Sequence, residues 1–149
     1  MKKVSKERVG VELKQMLSSP TAFTSVKHFH AFGLFPYMIE IPVNCVELGQ
    51  NPDQIVPCFE QSYKLCQVLR HINIEDGFPF TEILKTHLKP DELRFIIYTA
   101  AIMSPFAGFK VIVNPKTQKT DFLVNVLMKE SLKVSFCEGK FHLPGLVYK

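Results

Sequence analysis

The sequence predicts an all-α fold of five or six short helices, and three observations favour this class. The chain has 149 residues, of which 46% are hydrophobic and 21% charged, and this suits one compact domain with its own core. Apolar residues recur at helical spacing along most of the chain. Ten prolines, against seven glycines, divide that pattern into short elements. We therefore expect residues 1–149 to form a single α-helical domain, with a helical hairpin over 1–38, further helices over 57–135 and a frayed tail over 136–149.

The first two helices are expected to pack as the hairpin. Ser5 is placed to cap the first helix, and Ser19 is placed to cap the second, with Pro20 in its first helical position. The predicted apolar face of the first helix is Val9, Leu13, Met16 and Leu17. That of the second is Ala22, Val26, Phe29 and Ala31/Phe32. Gly33 follows at the position where a helix end favours a left-handed residue.

Proline and polar residues set the remaining boundaries. We expect an apolar turn over 34–38, a loop over 40–56 and helices that begin at Pro57, near residue 80 and at Pro90. Their inward-facing residues are predicted to include Leu65, Leu69, Ile72, Leu93, Ile96, Ile97 and Ala100. Residues 108–119 are expected to form an extended loop, because the strand-like run 110–113 has no visible partner. Thr120-Asp121 would cap a last helix containing Phe122, Leu123, Val126, Leu127 and Leu132.

The sequence contains none of the common enzyme or metal signatures, such as GxGxxG, GxxxxGK[ST], HExxH or GxSxG. His28 and His30 would point about 200° apart on a helix, so we expect two solvated histidines rather than metal ligands. The four aspartates are remote from one another along the chain. We therefore expect no catalytic residue and no metal site here.

The cysteines and the hydropathy pattern indicate a soluble intracellular protein. Cys45, Cys58, Cys66 and Cys137 form no CxxC pair, and we expect reduced, partly buried thiols. The longest uncharged stretch, 95–109, is shorter than the roughly 18–20 apolar residues that a bilayer span requires. No membrane partner is expected.

Positive charge accumulates towards the end of the chain. The net charge is +4, with eleven Lys/Arg and eleven Asp/Glu over residues 1–108 and seven lysines against three acidic residues over 109–149. A basic end on a neutral body is typical of proteins with a polyanionic partner.

The opening residues carry a more specific pattern. They are Ser5-Lys6-Glu7-Arg8-Val9-Gly10-Val11-Glu12-Leu13-Lys14-Gln15-Met16-Leu17, then Ser19-Pro20, then His30-Ala31-Phe32-Gly33-Leu34-Phe35-Pro36. This pattern resembles the neck of tRNA nucleotidyltransferases, the CCA-adding enzymes of the poly(A) polymerase superfamily. Two looser matches, at 94–106 and 125–135, resemble the body helices of the same enzymes.

The resemblance implies the helical neck and body of an enzyme that adds C, C and A to tRNA 3′ ends. It also implies that Glu7, Arg8 and Glu12 brace the nucleotide pocket, whereas on its own an Arg8–Glu12 contact would be an ordinary i,i+4 helix pair. The family's catalytic head, which uses Mg²⁺ with CTP and ATP, has no counterpart in this sequence. We therefore expect a C-terminal portion or truncated paralogue that holds no cofactor and is inactive alone.

The partners expected from the resemblance are tRNA and a separate polypeptide carrying the head, with no DNA. The candidate RNA-binding residues are Lys110, Lys116, Lys119, Lys129 and Lys133, which would contact phosphates without reading sequence. The alternative is a headless paralogue that acts as a helical protein-interaction scaffold through an exposed surface near Val4–Val11.

Overall fold

Helices dominate the computed structural model, which describes residues 5–45, 52–71 and 88–131. In these ranges the helices are α1 (Lys6–Ser18), α2 (Ala22–Ala31), α3 (Phe35–Met38), α4 (Pro52–Leu69), α5 (Pro90–Met103) and α6 (Leu123–Val126). A 3-10 turn (Ser104–Phe106) extends α5, and a π-helical turn (Leu127–Ser131) extends α6. Two strands, β1 (Lys110–Asn114) and β2 (Lys119–Phe122), are the non-helical addition. The all-α prediction is confirmed in its main feature.

The core lies among four helices, since α1 and α4 each pack against both α2 and α5. A series of aromatic contacts crosses it. The ring centroid of Phe35 lies 6.2 Å from that of Phe29 and 5.6 Å from that of Phe59, on which it stacks. The ring centroids of Phe59 and Phe106 are also 5.6 Å apart. Ser62 is fully buried in α4, and its hydroxyl lies 2.7 Å from the carbonyl oxygen of Ile102 in α5. This contact supplies a hydrogen bond for a polar group that would otherwise be costly to bury.

The predicted hairpin of helices is present, with a shifted second helix. The Ser5 hydroxyl accepts a hydrogen bond from the Arg8 amide at 3.3 Å, as expected of an N-cap. The Ser19 hydroxyl accepts from the Thr21 amide at 3.1 Å, so Ser19 and Pro20 form a turn and α2 begins at Ala22. The prediction that Pro20 is the first helical residue is therefore wrong.

The end of α2 follows the predicted glycine signal. Gly33 has a φ of 60°, and the Leu34 amide donates to the Phe29 carbonyl at 2.8 Å. This is a Schellman motif, which turns the chain sharply at the helix end. Ala31 and Phe32 lie beyond the buried face and are exposed, so their predicted place in the core is wrong.

The buried faces of α4 and α5 match the prediction in part, since Leu69, Ile96 and Ile97 are partly buried against the core. Pro57 lies inside α4, which begins at Pro52, so the predicted loop ends earlier than expected. The buried residues of α4 are Cys58, Phe59, Ser62 and Cys66. In α5, Leu93 is buried as predicted, whereas Ala100 is exposed. Because α5 packs between α1 and α4, its buried face is wider and includes Phe95, Tyr98, Thr99, Ile102 and Met103.

The predicted loop over residues 108–119 is wrong, because this segment contains a strand with a partner. β1 pairs antiparallel with β2, and Lys110 lies opposite Phe122. Thr120 and Asp121 belong to β2, and α6 starts only at Leu123. Several predicted features lie outside the described residues, namely Ile72, Leu132, positions 80–87 of the helix predicted near 80–88 and the tail over 136–149. Leu88, the last residue of that predicted helix, lies in a bend.

Candidate nucleic-acid interface

The three residues of the predicted nucleotide-pocket motif lie at the beginning of α1, and all are exposed. Glu7 occupies the first turn, where a negative charge is favourable to the helix dipole. Arg8 and Glu12 lie one turn apart with no ion pair between them in the described part of the chain. Val11, which is 57% exposed, lies beside them. The beginning of α1 therefore presents an open surface that is both charged and apolar.

Two contacts hold α1 in place without covering that surface. The Lys6 ammonium lies 2.7 Å from a carboxylate oxygen of Glu40, which follows α3. At the other end of the helix, the Arg94 guanidinium donates to the Ser18 carbonyl at 2.9 Å. The positive charge of Arg94 also interacts favourably with the negative end of the α1 dipole. Both ends of α1 are thus fixed to other elements.

The β1–β2 hairpin is anchored by its buried side. Val111 is 1% exposed and pairs through its backbone with Cys45. The Ile112 amide donates to the Asn44 carbonyl at 3.2 Å, and the Asn44 side chain donates to the Ile112 carbonyl. The Leu123 amide donates to the Phe109 carbonyl at 2.8 Å, which closes the base of the hairpin.

The hairpin tip carries lysines on a well-defined turn. The Asn114 side-chain oxygen accepts from the Lys116 amide at 3.0 Å, and Gln118 takes a left-handed φ of 52°. Lys116 and Lys119 are both exposed in this turn. Lys110 lies at the opposite end of β1, where its ammonium is 5.9 Å from the ring centroid of Phe122.

Asp121 connects the hairpin lysines with the turn that follows α6. Its carboxylate accepts from the Asn125 amide group at 3.0 Å and from the Phe122 backbone amide at 2.7 Å. These hydrogen bonds lower the pKa of Asp121, and the charges of Lys119 and Lys129 lower it further. Lys119 and Lys129 therefore act on one carboxylate although ten positions separate them in the sequence. Lys133 lies outside the described residues.

A second surface, between α2 and α4, was not predicted. His30 Nε2 lies 2.8 Å from Glu60 Oε1, and the imidazole stacks on Tyr63 at 4.0 Å with an interplanar angle of 9°. Tyr63 in turn stacks on Phe23 at 6.2 Å, and the Arg70 guanidinium lies 5.2 Å from the Phe23 centroid. His30 is therefore not solvated as predicted, because α4 supplies partners that sequence spacing does not reveal. His28 remains exposed, as predicted.

Three of the predicted thiols lie in the described ranges, and all three are free and buried. Burial raises the pKa of Cys66 to about 12 and raises that of Cys58 as well. Because the thiolate is the reactive form of cysteine, these buried thiols have little nucleophilic character.

The described residues contain no group of three or more His, Cys, Asp or Glu that could hold a metal ion. A search of the same ranges finds no helix with the length and hydrophobicity needed to cross a membrane.

Comparison with known proteins gives one finding. Residues 1–43 match the family model described as the probable RNA and SrmB-binding site of polymerase A. The matched segment contains α1, α2 and α3. No curated protein and no solved structure matches the chain. The match at residues 1–43 points to the RNA-binding region of the poly(A) polymerase and CCA-adding superfamily.

Proposed function

We propose that this chain is the neck and body of a CCA-adding tRNA nucleotidyltransferase and holds tRNA during processing of its 3′ end. The observation that carries the proposal is the family match over residues 1–43, which coincides with the helical hairpin and α3. The quoted pattern of residues 5–36 supports the CCA-adding branch of that superfamily. The lysines beyond α5 support a polyanionic partner.

In this proposal, the β1–β2 hairpin and the turn after α6 contact the RNA backbone. Lys116, Lys119 and Lys129 are exposed, and lysine ammonium groups bind phosphates without reading bases. Lys110 would extend the same surface, and Lys133 is kept as a candidate from the sequence. Such contacts release counterions from the RNA, so the affinity should fall steeply as salt rises.

The exposed surface of α1 would face the catalytic head of the enzyme. Arg8 and Glu12 are exposed and not paired with each other, so both can interact with a partner. Glu7, Arg8 and Glu12 would then brace the nucleotide pocket of the assembled enzyme. The described residues offer no carboxylate cluster suited to a catalytic metal, so Mg²⁺ and the nucleoside triphosphates would be held by the head.

The proposal is tested by fluorescence anisotropy with labelled tRNA that lacks its CCA end, at several salt concentrations. We expect micromolar binding that weakens steeply with salt, and a large loss of affinity in the double variant Lys119→Glu/Lys129→Glu. Lys27→Glu/Lys89→Glu is the matched control, since both lysines are exposed but belong to neither the hairpin nor the turn after α6.

Wild-type protein that binds no tRNA at low salt would exclude the RNA-holding role. The headless scaffold would then be the better explanation, because Val11 on α1 is exposed enough to contact a protein partner.

A further inference from the structure

A groove at the C-terminal end of α4 has the charge and size of a nucleotide-binding site. It has a volume of about 440 Å³ and is lined by Lys64, Gln67, Val68, Arg70 and His71. The space is open to solvent, and its volume is sufficient for a single nucleotide that lies against the end of the helix. The described lining residues include two cations, Lys64 and Arg70, and none of these residues is acidic.

Arg70 connects the groove to the stacked rings of α2 and α4. Its guanidinium lies 5.2 Å from the centroid of Phe23, so the ring holds one plane of the guanidinium by a cation–π contact. Tyr63 stacks on Phe23, and His30 stacks on Tyr63. Arg70 Nε also donates to His71 Nε2 at 3.0 Å. These contacts limit the orientations open to a long side chain that is otherwise exposed.

A positioned guanidinium of this kind suits RNA, because its planar face stacks on bases and its N–H groups donate to phosphates. The negative end of the α4 dipole accounts for a basic residue beside Leu69. It does not account for the neighbouring series of rings, in which Tyr63 stacks on both Phe23 and His30. The charge of the groove favours a phosphate, and the fixed Arg70 plane favours a base.

We propose that this groove binds an unpaired nucleotide of the RNA, with the phosphates on its two sides contacting Lys64 and Arg70 and its base against the Arg70 guanidinium. The inference rests on the proposed function, since it assigns a second contact to the same RNA. Phe23, with Tyr63 behind it, acts as a positioning residue for Arg70.

The test measures binding of a labelled single-stranded hexa-adenylate and of labelled tRNA lacking CCA, with the full chain and a series of salt concentrations. The double variant Lys64→Gln/Arg70→Gln should weaken hexa-adenylate binding about tenfold or more. It should also reduce the slope of log K against log salt by about 1.4, which corresponds to two phosphate contacts on a single strand. Lys27→Gln/Lys89→Gln is the control, because these two exposed lysines do not line the groove and their replacement changes the net charge by the same amount.

A second variant separates charge from positioning. Phe23→Leu keeps an apolar side chain at this half-buried position but removes the ring beneath Arg70. We expect weaker hexa-adenylate binding with an unchanged salt slope, because both phosphate-binding cations remain. A thermal melt confirms that each variant is folded.

The outcomes distinguish this inference from the function on which it rests. Wild-type protein that binds tRNA but not hexa-adenylate, or a groove variant that binds hexa-adenylate like wild type, would overturn the groove assignment alone. Protein that binds neither RNA would overturn both proposals. Adenosine monophosphate that competes as well as hexa-adenylate would show a free-nucleotide site and overturn the RNA assignment.

Discussion

At the residue scale, Thr99 is a buried polar group whose hydrogen-bonding capacity is not used. Its side chain is 3% exposed, and its hydroxyl has no hydrogen-bond partner among the described residues. It lies in the wall of a small cavity of about 10 Å³, whose other lining residues are apolar. A buried hydroxyl without a partner destabilises the folded state, because the unfolded chain hydrates it.

Replacing Thr99 with valine should therefore stabilise the protein. Thr99→Val keeps the shape of the side chain and removes the hydroxyl, so we expect the free energy of unfolding to rise by about 1–2 kcal/mol. Urea unfolding measures the change. Thr99→Ser, which keeps the hydroxyl and loses the methyl group, should instead destabilise the fold. A loss of stability in the valine variant would mean that the hydroxyl has a partner in solution.

Gly33 shows how much a single residue type can predict. The sequence places a glycine after the apolar pattern of α2, and the backbone takes a φ of 60° there. A Cβ at this position would meet no atom within 4 Å, so the effect of a substitution is conformational rather than steric. Gly33→Ala should lower the free energy of unfolding by about 1 kcal/mol, which is the penalty of a left-handed backbone for alanine.

Gly108 provides the matched control for that experiment. A Cβ there also meets open space, but the backbone is not left-handed. Gly108→Ala should therefore leave the thermal midpoint unchanged or raise it slightly. Equal losses in the two alanine variants would contradict the conformational explanation.

At the element scale, the β1–β2 hairpin is the feature that sequence reasoning missed. All four residues of β2 are exposed, so this strand has no apolar alternation to reveal it. Its position depends on the Asn114 turn and on the contacts of Ile112 with Asn44. The Asn114-Pro115 pair is a turn signal and could have indicated a hairpin. The anchoring partner lies almost seventy residues away in sequence and could not.

The negative charge of Asp121 should weaken RNA binding by the β1–β2 hairpin. Its carboxylate lies among the lysines proposed to bind phosphate, and the charges of Lys119 and Lys129 lower its pKa. Asp121→Asn keeps an oxygen that can accept from the Phe122 amide but removes the negative charge. Because exposed charge interactions contribute about 0.2–1 kcal/mol, tRNA affinity should rise roughly 1.5- to 5-fold at low salt.

The control for this change is Asp91→Asn. Asp91 is exposed in the first turn of α5, outside the hairpin, and its replacement alters the net charge by the same amount. Anisotropy titrations of labelled tRNA with each variant measure the two changes in affinity. An equal gain in affinity from both would indicate a general effect of net charge rather than a local one.

At the scale of the whole molecule, helical periodicity and residue identity predict the packing of the N-terminal half well. The buried residues Leu13, Leu17, Val26 and Phe29 follow from spacing alone. Contacts between distant segments do not follow from spacing, and they create both candidate RNA surfaces. The charges of Lys119 and Lys129 both lower the pKa of Asp121, and α4 brings Tyr63 beneath His30.

The two candidate surfaces share no residue, and this permits a test of whether one RNA spans both. Two double variants are compared, one with glutamine at Lys119 and Lys129 and one with glutamine at Lys64 and Arg70. Each should reduce the slope of log K against log salt for tRNA binding by about 1.4–1.8, as expected for two lost phosphate contacts. If the same tRNA contacts both surfaces, the salt slope of the quadruple variant should be smaller than that of the wild type by about 3. The losses in binding free energy should then be additive. If only the hairpin contacts tRNA, the quadruple variant should behave like the hairpin variant, because the groove cations would then remain in solvent in the complex.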